Sequence, residues 1–455
     1  MRKIKNKIQL LNNSKYKKST SIALDSVESA LEAINPEKII ERKVLLQDNF
    51  LTIDNLSFDI NSFNNIYVIS VGKASILMYS GIQQILDSKI NKGLIISPFS
   101  SDVTFKNAEI FISDHPIPSK KSILASNKII ELIKLATDRD LILFLISGGG
   151  SSLIALPDPN LTLNDKIIVN NLLLSSGANI RELNSVRKHL SQIKGGNLIK
   201  NSGNSTIISL IISDIVGDPV DCIASGITSP DYSTYQDAIN VLTRYDLWDK
   251  IPLDAKKILT KGINGEIKET PKPFDPIFNK VHNIVIANPY TTCSEVVEYL
   301  KTKNINTKIL TSKLEGDSSD MSLMFSLLCK SISENNLPLS KPCALIIAGE
   351  TTVKVKGTGK GGRNQEAALV SSMKISGLRD IALVFIGTDG IDGFTDSAGS
   401  IIDGDTLINS EKMGIEAKTY LANNDSHSFF KETGGLIFTG FTGTNLCDLW
   451  LAIIL

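Results

Sequence analysis

The stretch LILFLISGGGSSL (141–153) is the best guide to the fold of this chain. Its first six residues form a continuous apolar run of strand length, which is typical of strands buried on both faces of a parallel sheet. Three glycines and two serines follow. Consecutive glycines can form a nest of backbone amides, and serine hydroxyls can hydrogen-bond phosphate. The stretch therefore predicts an α/β fold with an anion-binding loop at the end of a strand.

Further apolar runs of strand length alternate with segments of helical pattern. The first series contains IYVISVG (66–72), GLIISP (93–98), a helix over Lys120–Ala136 and TIISLIIS (206–213). The second contains NIVIAN (283–288), ALIIAG (344–349), TTVKVKG (351–357), a helix from about Arg363 to Met373 and IALVFIG (381–387). Strands rich in Ile, Leu and Val that are separated by helices indicate a largely parallel sheet covered on both faces. The predicted fold class is α/β, with two domains of this class.

The length and one change of composition predict the domain organisation. A chain of 455 residues is too long for one hydrophobic core, so two or three domains are expected. Residues 250–278 are polar and contain four prolines, which marks a boundary. We predict a basic flexible tail over 1–18, an N-terminal domain over 19–255, a linker over 256–278 and a C-terminal domain over 279–455.

The composition excludes several classes of protein. The chain is 42% apolar and 21% charged with a formal net charge of zero, which argues against nucleic-acid binding. The longest apolar runs are strand-sized, so no membrane span is expected. Five scattered cysteines without a CxxC pair indicate a reducing, cytoplasmic setting and no disulfide or zinc framework. The basic N-terminus is interpreted as a frayed tail, with a targeting segment as the alternative.

Four glycine-containing loops follow predicted strands. They are SVGKAS (70–75), which carries Lys73, and SGGGSS (147–152), SDIVGDP (213–219) and GTDGIDG (387–393). In α/β folds, ligands bind where loops leave the carboxyl ends of strands, and anions are held by backbone amides and helix N-termini. Each loop alone is equally well explained as a turn. Four of them in one chain favour a phosphate-handling enzyme.

A fifth glycine-rich segment, GTGKGG (357–362), precedes the predicted helix at Arg363. It fits GxGxxG, but the preceding TTVKVK alternates like a half-exposed strand and not like the first strand of a dinucleotide unit. Neither this segment nor SVGKAS satisfies the P-loop pattern. GTDGIDGFTD lacks the EF-hand spacing, so any metal would be a sparsely held Mg²⁺ that keeps waters and takes substrate oxygens.

The order of the motifs resembles one family, the glycerate 2-kinases with a MOFRL-type C-terminal domain, or class II glycerate kinases. The similarity runs from about Ser21 to the C-terminus. The matching strings are SVGKAS, DHPIPS, LISGGGSSL, NSVRKHLSQIKGGNL, ISDIVGDP, IASGITSPD, AGETTVKVKGTGKGGRNQEAAL, GTDGIDGFTDSAG and FTGTNLCDL. Ile227 and Phe394 stand where the family usually has proline, which is expected to alter loop stiffness and to leave the reaction class intact.

The resemblance implies an ATP-dependent kinase that phosphorylates D-glycerate at its 2-hydroxyl, with Mg²⁺. It also implies an N-terminal Rossmann-like domain with a mostly parallel sheet, a C-terminal MOFRL-type α/β domain with its core at about 341–450, and an active site in the cleft between them. The family's leading catalytic candidates carry over to Lys73 and Arg363. A lysine point charge and a planar arginine suit a transferring phosphoryl group, which asks for positioning and cations.

The other candidate residues follow from the loops and the resemblance together. Those expected to bind phosphate or nucleotide are Ser147, Gly148, Gly149, Gly150, Ser151, Ser152, Gly359, Lys360, Gly361 and Gly362. Those expected to bind substrate are Glu350, Asn364 and Lys194. Candidate Mg²⁺ ligands are Asp214, Asp218 and Asp389, and any of them could instead take the hydroxyl proton or be structural. A homodimer is a candidate assembly. The alternative function is an NAD(P)H-dependent hydroxypyruvate reductase.

Overall fold

Residues 3–455 are described by a computed structural model, and they divide into two units. The central unit is the continuous segment Pro36–Ile286. The terminal unit combines residues 3–35 with Ala287–Leu455. In sequence, the central unit is therefore an insertion in the terminal unit.

The elements of residues 3–35 and of the central unit are numbered in chain order. The helices are α1 (Lys7–Asn13), α2 (Lys17–Ala33), α3 (Pro36–Lys43), α4 (Ser75–Leu86), α5 (Lys120–Ile133), α6 (Gly150–Leu153), α7 (Leu163–Ser175), α8 (Ile180–His189), α9 (Tyr235–Arg244) and α10 (Leu253–Ile263). The strands are β1 (Val44–Gln47), β2 (Phe50–Ile53), β3 (Leu56–Asp59), β4 (Ile66–Val71), β5 (Lys92–Ser97), β6 (Ala108–Ile112), β7 (Leu141–Ile146), β8 (Thr206–Ile212) and β9 (Val281–Ala287).

Six strands form the main sheet of the central unit, in the order β6-β5-β4-β7-β8-β9. The pairs β4–β5, β4–β7, β5–β6 and β7–β8 are all parallel. Counted along the chain, the order is 3-2-1-4-5-6, which is that of dinucleotide-binding α/β folds. The order reverses between β4 and β7. Ligands of such folds bind beyond the carboxyl ends of the strands at this point. A ligand site is therefore expected at the loops after β4 and β7.

Burial of the strands explains why the sequence predicted them well. Every residue of β4 and of β7 is buried, as their unbroken apolar runs require. Helix α5 packs on the same core through Ala125, Ile129 and Ile133, which are spaced four residues apart and share one face of the helix. The predicted α/β class of this part of the chain is confirmed.

A second apolar core lies among helices α7, α8, α9 and α10. It contains Val169 and Leu173 of α7, Leu183 and Val186 of α8, and Val241 of α9. This packing fixes the orientation of α7 and α8, so the side chains on their remaining faces are held in defined positions as well. The strands β1, β2 and β3 form a separate antiparallel sheet.

The terminal unit continues with further helices and strands. The helices are α11 (Pro289–Lys301), α12 (Ser318–Asn335), α13 (Arg363–Lys374), α14 (Thr406–Lys412), α15 (Ala417–Ala422) and α16 (Ser426–Thr433). The strands are β10 (Asn306–Leu314), β11 (Cys343–Gly349), β12 (Ile381–Gly387), β13 (Gly399–Asp403), β14 (Leu436–Ile437) and β15 (Asp448–Ile454).

The sheet of the terminal unit is mixed, in the order β10-β11-β15-β12-β13-β14. Only β10 and β11 pair in parallel, and β15 runs antiparallel between β11 and β12. As a result, the first residue of β15, Asp448, lies opposite the last residues of both neighbours, Gly349 and Gly387. The loops that follow β11 and β12 therefore leave the sheet at the edge where Asp448 enters it.

The predicted N-terminal tail is part of the terminal unit. Helices α1 and α2 occupy most of residues 3–35. The side chain of Asn6 donates to the carbonyl of Leu436 at 2.8 Å, and Ser14 donates to Asp403 at 2.7 Å. Leu10 is buried as well. A basic composition suggested a solvated tail, but these long-range contacts, which no local pattern shows, anchor the segment.

The predicted linker and the start of the second series also differ from the structure. Residues 256–278 lie within the central unit, where most of α10 falls in this range and Thr270 donates to Asp231 at 2.9 Å. The run NIVIAN falls mostly in β9, the edge strand of the central sheet. The stretch TTVKVK is not a strand, and only Thr352 makes an isolated bridge, to Asp317. No helix within residues 3–455 has both the length and the apolar character needed to cross a membrane.

Candidate active site

The loops after β4 and β7 contact each other at the point where the strand order reverses. The backbone N–H of Lys73 donates to the carbonyl of Gly148 at 2.9 Å, and the N–H of Ala74 donates to the hydroxyl of Ser147 at 3.0 Å. Gly72 has a φ of +133°, and a Cβ there would stand 2.1 Å from the Ser147 oxygen. Ser147, predicted to bind phosphate, therefore joins the two loops.

The glycines after Ser147 leave room for functional side chains. A Cβ on Gly148 would stand 2.0 Å from a carboxylate oxygen of Asp214. A Cβ on Gly149, whose φ is +86°, would stand 3.0 Å from the imidazole Cδ2 of His115 and 3.5 Å from the Cγ of Lys73. The loop thus brings a lysine, a histidine and an aspartate to the carboxyl ends of the parallel strands.

The backbone amides of this loop are available to a ligand. Among residues 3–455, the N–H groups of Gly148, Gly149 and Gly150 have no protein acceptor. Successive amides around a left-handed residue such as Gly149 form a concave donor site for an anion. These three residues stay our candidates for phosphate binding, and we call them the amide nest.

A cavity of about 220 Å³ opens beside the amide nest. Its walls combine cationic, hydroxyl and apolar side chains. They are formed by His115, Pro116, Pro118, Gly149, Ser151, Ser152, Lys166, Asn170, Leu174 and Arg187. The predicted residues Ser151 and Ser152 are thus at the cavity, whereas Lys166 and Arg187 are additions that the sequence did not point to. We call this space the cationic cavity.

The cationic groups around the cavity influence one another. Burial, and then the charge of the nearby Arg187, lowers the pKa of Lys166 to about 8. Burial, and then the charge of Lys73, lowers the pKa of His115 to about 4, so this imidazole is neutral at physiological pH. For both residues, the pKa is lowered by burial and by a neighbouring cation. The cavity is therefore a strongly electropositive place.

Lys194, predicted to bind substrate, contacts the loop after β7 from the interior of the protein. It is fully buried, and its Nζ donates to the Ser151 carbonyl at 3.0 Å, to the Ser151 hydroxyl at 2.5 Å and to the Ser225 hydroxyl at 3.1 Å. Burial, followed by the charges of Lys166 and Arg187, holds its pKa well below the usual range. The prediction that Lys194 binds substrate is therefore corrected. Its ammonium is held in the interior by three protein acceptors, so Lys194 positions Ser151 and does not line the cavity.

The residues present fit a weakly held Mg²⁺. Asp214 and Asp218 lie in the loop after β8, and the Asp214 carboxylate packs against the amide nest. Mg²⁺ is usually held by one or two carboxylates together with phosphate oxygens and waters. Residues 3–455 contain no group of three or more His, Cys, Asp or Glu side chains that could hold a metal. Asp214 is therefore suited to an ion that binds together with a nucleotide.

In the terminal unit, Arg363 is held by two acidic residues. It is the first residue of α13, and its Nε and one Nη donate to the two oxygens of Asp448 at 2.6 and 3.0 Å. Its other Nη donates to Glu350 at 2.6 Å. Burial alone would lower the pKa of Arg363, but the charges of Asp448 and Glu350 outweigh it and raise this pKa. The Arg363 side chain is 32% exposed.

Asn364, also predicted to bind substrate, is an internal residue. Its side-chain amide donates to Asp448 at 2.9 Å and to Asp392 at 3.2 Å, and its oxygen accepts from the Trp450 indole at 2.9 Å. Asp392 also accepts from the backbone amides of Asn364 and Gln365 at 3.0 and 2.8 Å. This fully buried network fixes the start of α13, so we correct the role of Asn364 to positioning Arg363.

The GTGKGG segment is occupied by the protein itself. The amide of Gly359 donates to the Asn423 carbonyl and that of Lys360 donates to the Asp425 carboxylate, both at 2.9 Å. Cβ atoms on its four glycines would stand 2.3 to 2.4 Å from atoms of Asn423, Asp425, Ser426 or Asp392. The glycines are needed because residues 423–426 and Asp392 pack against the backbone. Only the amides of Gly361 and Gly362 have no acceptor within residues 3–455.

The remaining predicted residues have clear structural positions. Asp389 lies in the loop after β12, and its carboxylate accepts from the Ile391 amide at 3.1 Å. Glu350 follows β11 and is engaged by Arg363. Ile227 is fully buried in the central core, and Phe394 is 99% exposed. An isoleucine in place of proline at 227 thus contributes to the core, and nothing in the structure explains Phe394.

Known protein families and relatives match most of this chain. Residues 22–260 match a domain family described as of unknown function, DUF4147, and residues 343–448 match the MOFRL family. A glycerate 2-kinase from Pyrococcus horikoshii is 38% identical over 434 residues, which cover 95% of this chain and 97% of that protein. A protein of Agrobacterium vitis with the provisional name hydroxypyruvate reductase is 34% identical over 85% of this chain and 86% of its own length.

Solved structures give the same result. The crystal structure of a glycerate kinase from Thermotoga maritima superposes with a TM-score of 0.85 and 35% sequence identity. The match covers 96% of this chain and 99% of that one. Together, the family matches, the near-complete coverage and the identities above 30% lead to one conclusion. The chain belongs to the glycerate kinase family that carries a MOFRL domain.

Proposed function

We propose that this protein is an ATP-dependent kinase that phosphorylates D-glycerate at the 2-hydroxyl, giving 2-phosphoglycerate and ADP. The observation that carries the proposal is the site at the reversal of strand order. There the amide nest, Lys73 and Asp214 lie together beyond the carboxyl ends of parallel strands. Phosphoryl transfer asks a protein mainly for such positioning and charge. The names of the relatives support glycerate as the acceptor.

Each group has a proposed role. The amide nest binds phosphate oxygens, and the Lys73 ammonium stabilises the negative charge that develops on the transferring group. Asp214 would hold Mg²⁺, with Asp218 and Asp389 as alternatives, and Mg²⁺ when bound would neutralise phosphate charge. Arg363 is proposed as the second catalytic cation, with its orientation set by Asp448 and Glu350. That Arg363 acts on the same phosphoryl group as Lys73 stays a prediction.

A reductase is the second candidate, because two relatives from Agrobacterium vitis bear that provisional name. A nicotinamide dinucleotide would need the GxGxxG turn after the first strand of the sheet. Here the loop after β4 contains the single glycine Gly72. The GTGKGG segment follows no strand, and four of its six amides donate to residues 423–425. Mixing the protein with hydroxypyruvate and NADH should leave the NADH absorbance unchanged.

The decisive experiment is ³¹P NMR of the products formed from D-glycerate and MgATP. We expect ADP and the resonance of 2-phosphoglycerate. A 3-phosphoglycerate resonance, or no ADP at saturating substrates, would contradict the proposal. We also propose a cytoplasmic setting, because none of the five buried cysteines, all within residues 3–455, forms a disulfide.

A further inference from the structure

Two cations at the cationic cavity have no partner among residues 3–455. Lys166 is only 8% exposed, and Arg187 is half-buried on the neighbouring helix α8. Within residues 3–455, the side chain of neither residue makes a hydrogen bond or an ion pair. Burying an unpaired charge is costly because the charge loses its water. Such a pair is therefore expected to be retained only where an anion completes the site.

Another buried lysine of the same unit shows the contrast. Lys188 follows Arg187 directly, and its Nζ contacts Asp221 at 3.1 Å and Asp231 at 3.2 Å. Its charge is thus neutralised inside the protein. Lys166 lies on α7 and Arg187 on α8, the helix that also carries Lys188. Within residues 3–455, no carboxylate forms an ion pair with either of them. The difference indicates that their neutralising group comes from outside the chain.

The geometry points to an oxyanion subsite: we propose that Lys166 and Arg187 bind the carboxylate of the hydroxyacid acceptor. This inference rests on the proposed function for the identity of the acceptor. A guanidinium matches the two oxygens of a carboxylate in a two-pronged contact, and an ammonium adds a point charge. Ser151 and Ser152 line the same cavity.

The position of the cavity favours a carboxylate over the phosphates of ATP. Gly149 belongs both to the amide nest and to the cavity wall. The nest, with Lys73 and Asp214 beside it, already provides donors and a metal ligand for phosphate oxygens. An acceptor bound by Lys166 and Arg187 would therefore lie next to a nucleotide phosphate on the nest, as transfer between them requires.

The subsite predicts that the acceptor must be an anion. Glycerol has the same carbon chain as glycerate but no carboxylate, so it would leave both cations buried and unpaired. We expect glycerol to bind at least 10-fold more weakly than D-glycerate, because a site built to pair with a charged group rejects the analogue that lacks it.

Calorimetric titration with D-glycerate and, separately, with ADP tests the proposal. In Arg187→Met and Lys166→Met, we expect D-glycerate to bind about 10-fold to 100-fold more weakly, the usual effect of losing one hydrogen bond to a charged group. ADP binding should stay within about 2-fold, since the nest is intact. Arg187→Lys, which keeps the charge but loses the planar fork, should fall between wild type and Arg187→Met.

Arg181→Met is the matched control. Arg181 lies on the same helix but is exposed and outside the cavity, so its loss should leave both titrations unchanged. Weaker ADP binding with unchanged D-glycerate binding in the cavity variants would identify a phosphate site and overturn the proposal, as would no change in either ligand. If wild type binds D-glycerate through Arg187 but does not phosphorylate it, the proposed function fails and the subsite stands.

Discussion

Replacing Lys166 with methionine should stabilise the protein while weakening acceptor binding. Methionine has a similar length and no charge, so the substitution removes the buried ammonium with little change in packing. The pKa of Lys166 falls from 10.5 to about 8 in the folded chain. At about 1.4 kcal/mol for each pH unit, keeping Lys166 charged at neutral pH costs on the order of 3 kcal/mol. The variant should regain up to that amount.

The dependence on pH follows from the direction of this pKa. Between about pH 8 and pH 10.5 the unfolded chain binds the proton and the folded chain does not. Wild-type stability therefore rises with pH in this window. The penalty is fully present below about pH 8 and disappears above pH 10.5, so the advantage of Lys166→Met should be largest near neutrality and shrink as the pH rises.

Urea unfolding followed by circular dichroism at pH 7 and at pH 10 would measure the difference. Lys250→Met is the control, because Lys250 is exposed in the same unit and its loss should change the free energy of unfolding by less than about 0.5 kcal/mol. Saturating D-glycerate should narrow the difference, since a ligand at 100 times its Kd stabilises wild type by about 2.7 kcal/mol and stabilises the more weakly binding variant by less. Equal or lower stability of Lys166→Met at pH 7 would refute the reasoning.

Three further predictions concern the other residues of the site. Lys73→Ala should lower kcat about 10²-fold to 10³-fold in an ADP-release assay with an unchanged circular dichroism spectrum, as expected for one lost transition-state cation; a near-normal kcat would exclude this role. Asp214→Asn should lose activity with Mg²⁺ and recover part of it with Mn²⁺, whereas an unchanged metal dependence would move the metal ligand to Asp218 or Asp389. Asp448→Asn should reduce the free energy of unfolding by about 3–5 kcal/mol, because it leaves the Arg363 charge without its main partner, and a shift below 1 kcal/mol in urea unfolding would contradict this.

The buried parallel strands were predictable because their pattern is local. A strand covered on both faces must be apolar throughout, so LILFLI and its counterparts can be recognised without knowledge of the rest of the fold. The contacts of residues 3–35 were not predictable in this way. Asn6 and Leu436 are 430 positions apart, and Ser14 and Asp403 are 389 positions apart. Only the assembled sheet of the terminal unit brings these groups together.

The candidate site divides along the same line. The amide nest could be predicted from three consecutive glycines after a strand. Lys166 and Arg187 could not, because each occupies an ordinary helical position and belongs to no motif. The spacing contained a weak signal. No acidic residue stands three or four positions from Lys166 or Arg187, where a helical ion-pair partner would lie. Leu183 and Leu190 lie four positions before and three positions after Arg187, on the same face of the helix. An inward-facing cation without an acidic neighbour is unusual, but the cavity itself depends on tertiary packing.

The two glycine-rich segments show that composition does not decide what a glycine is for. In SGGGSS, the amides of Gly148–Gly150 have no acceptor in the described part of the chain (residues 3–455), so a ligand can use them. In GTGKGG, residues 423–425 accept from Gly359 and Lys360, so these glycines serve the packing of the protein. Both segments are glycine-rich in the sequence. The difference depends on whether another part of the chain reaches the backbone.

A carboxylate built into the cationic cavity should imitate the bound acceptor. Asn170 lines the cavity one helical turn after Lys166, and Asn170→Asp changes its amide to a carboxylate of the same shape. The new charge should stabilise the protein, because it neutralises Lys166 and restores the pKa of its ammonium towards 10.5. It should also compete with the acceptor and raise the KM for D-glycerate about 10-fold or more, with the KM for ATP unchanged. Asn171→Asp, at the next and exposed position, provides the control. An unaltered KM for D-glycerate in Asn170→Asp, or a lower free energy of unfolding at pH 7, would show that Lys166 and Arg187 do not bind the carboxylate of the acceptor.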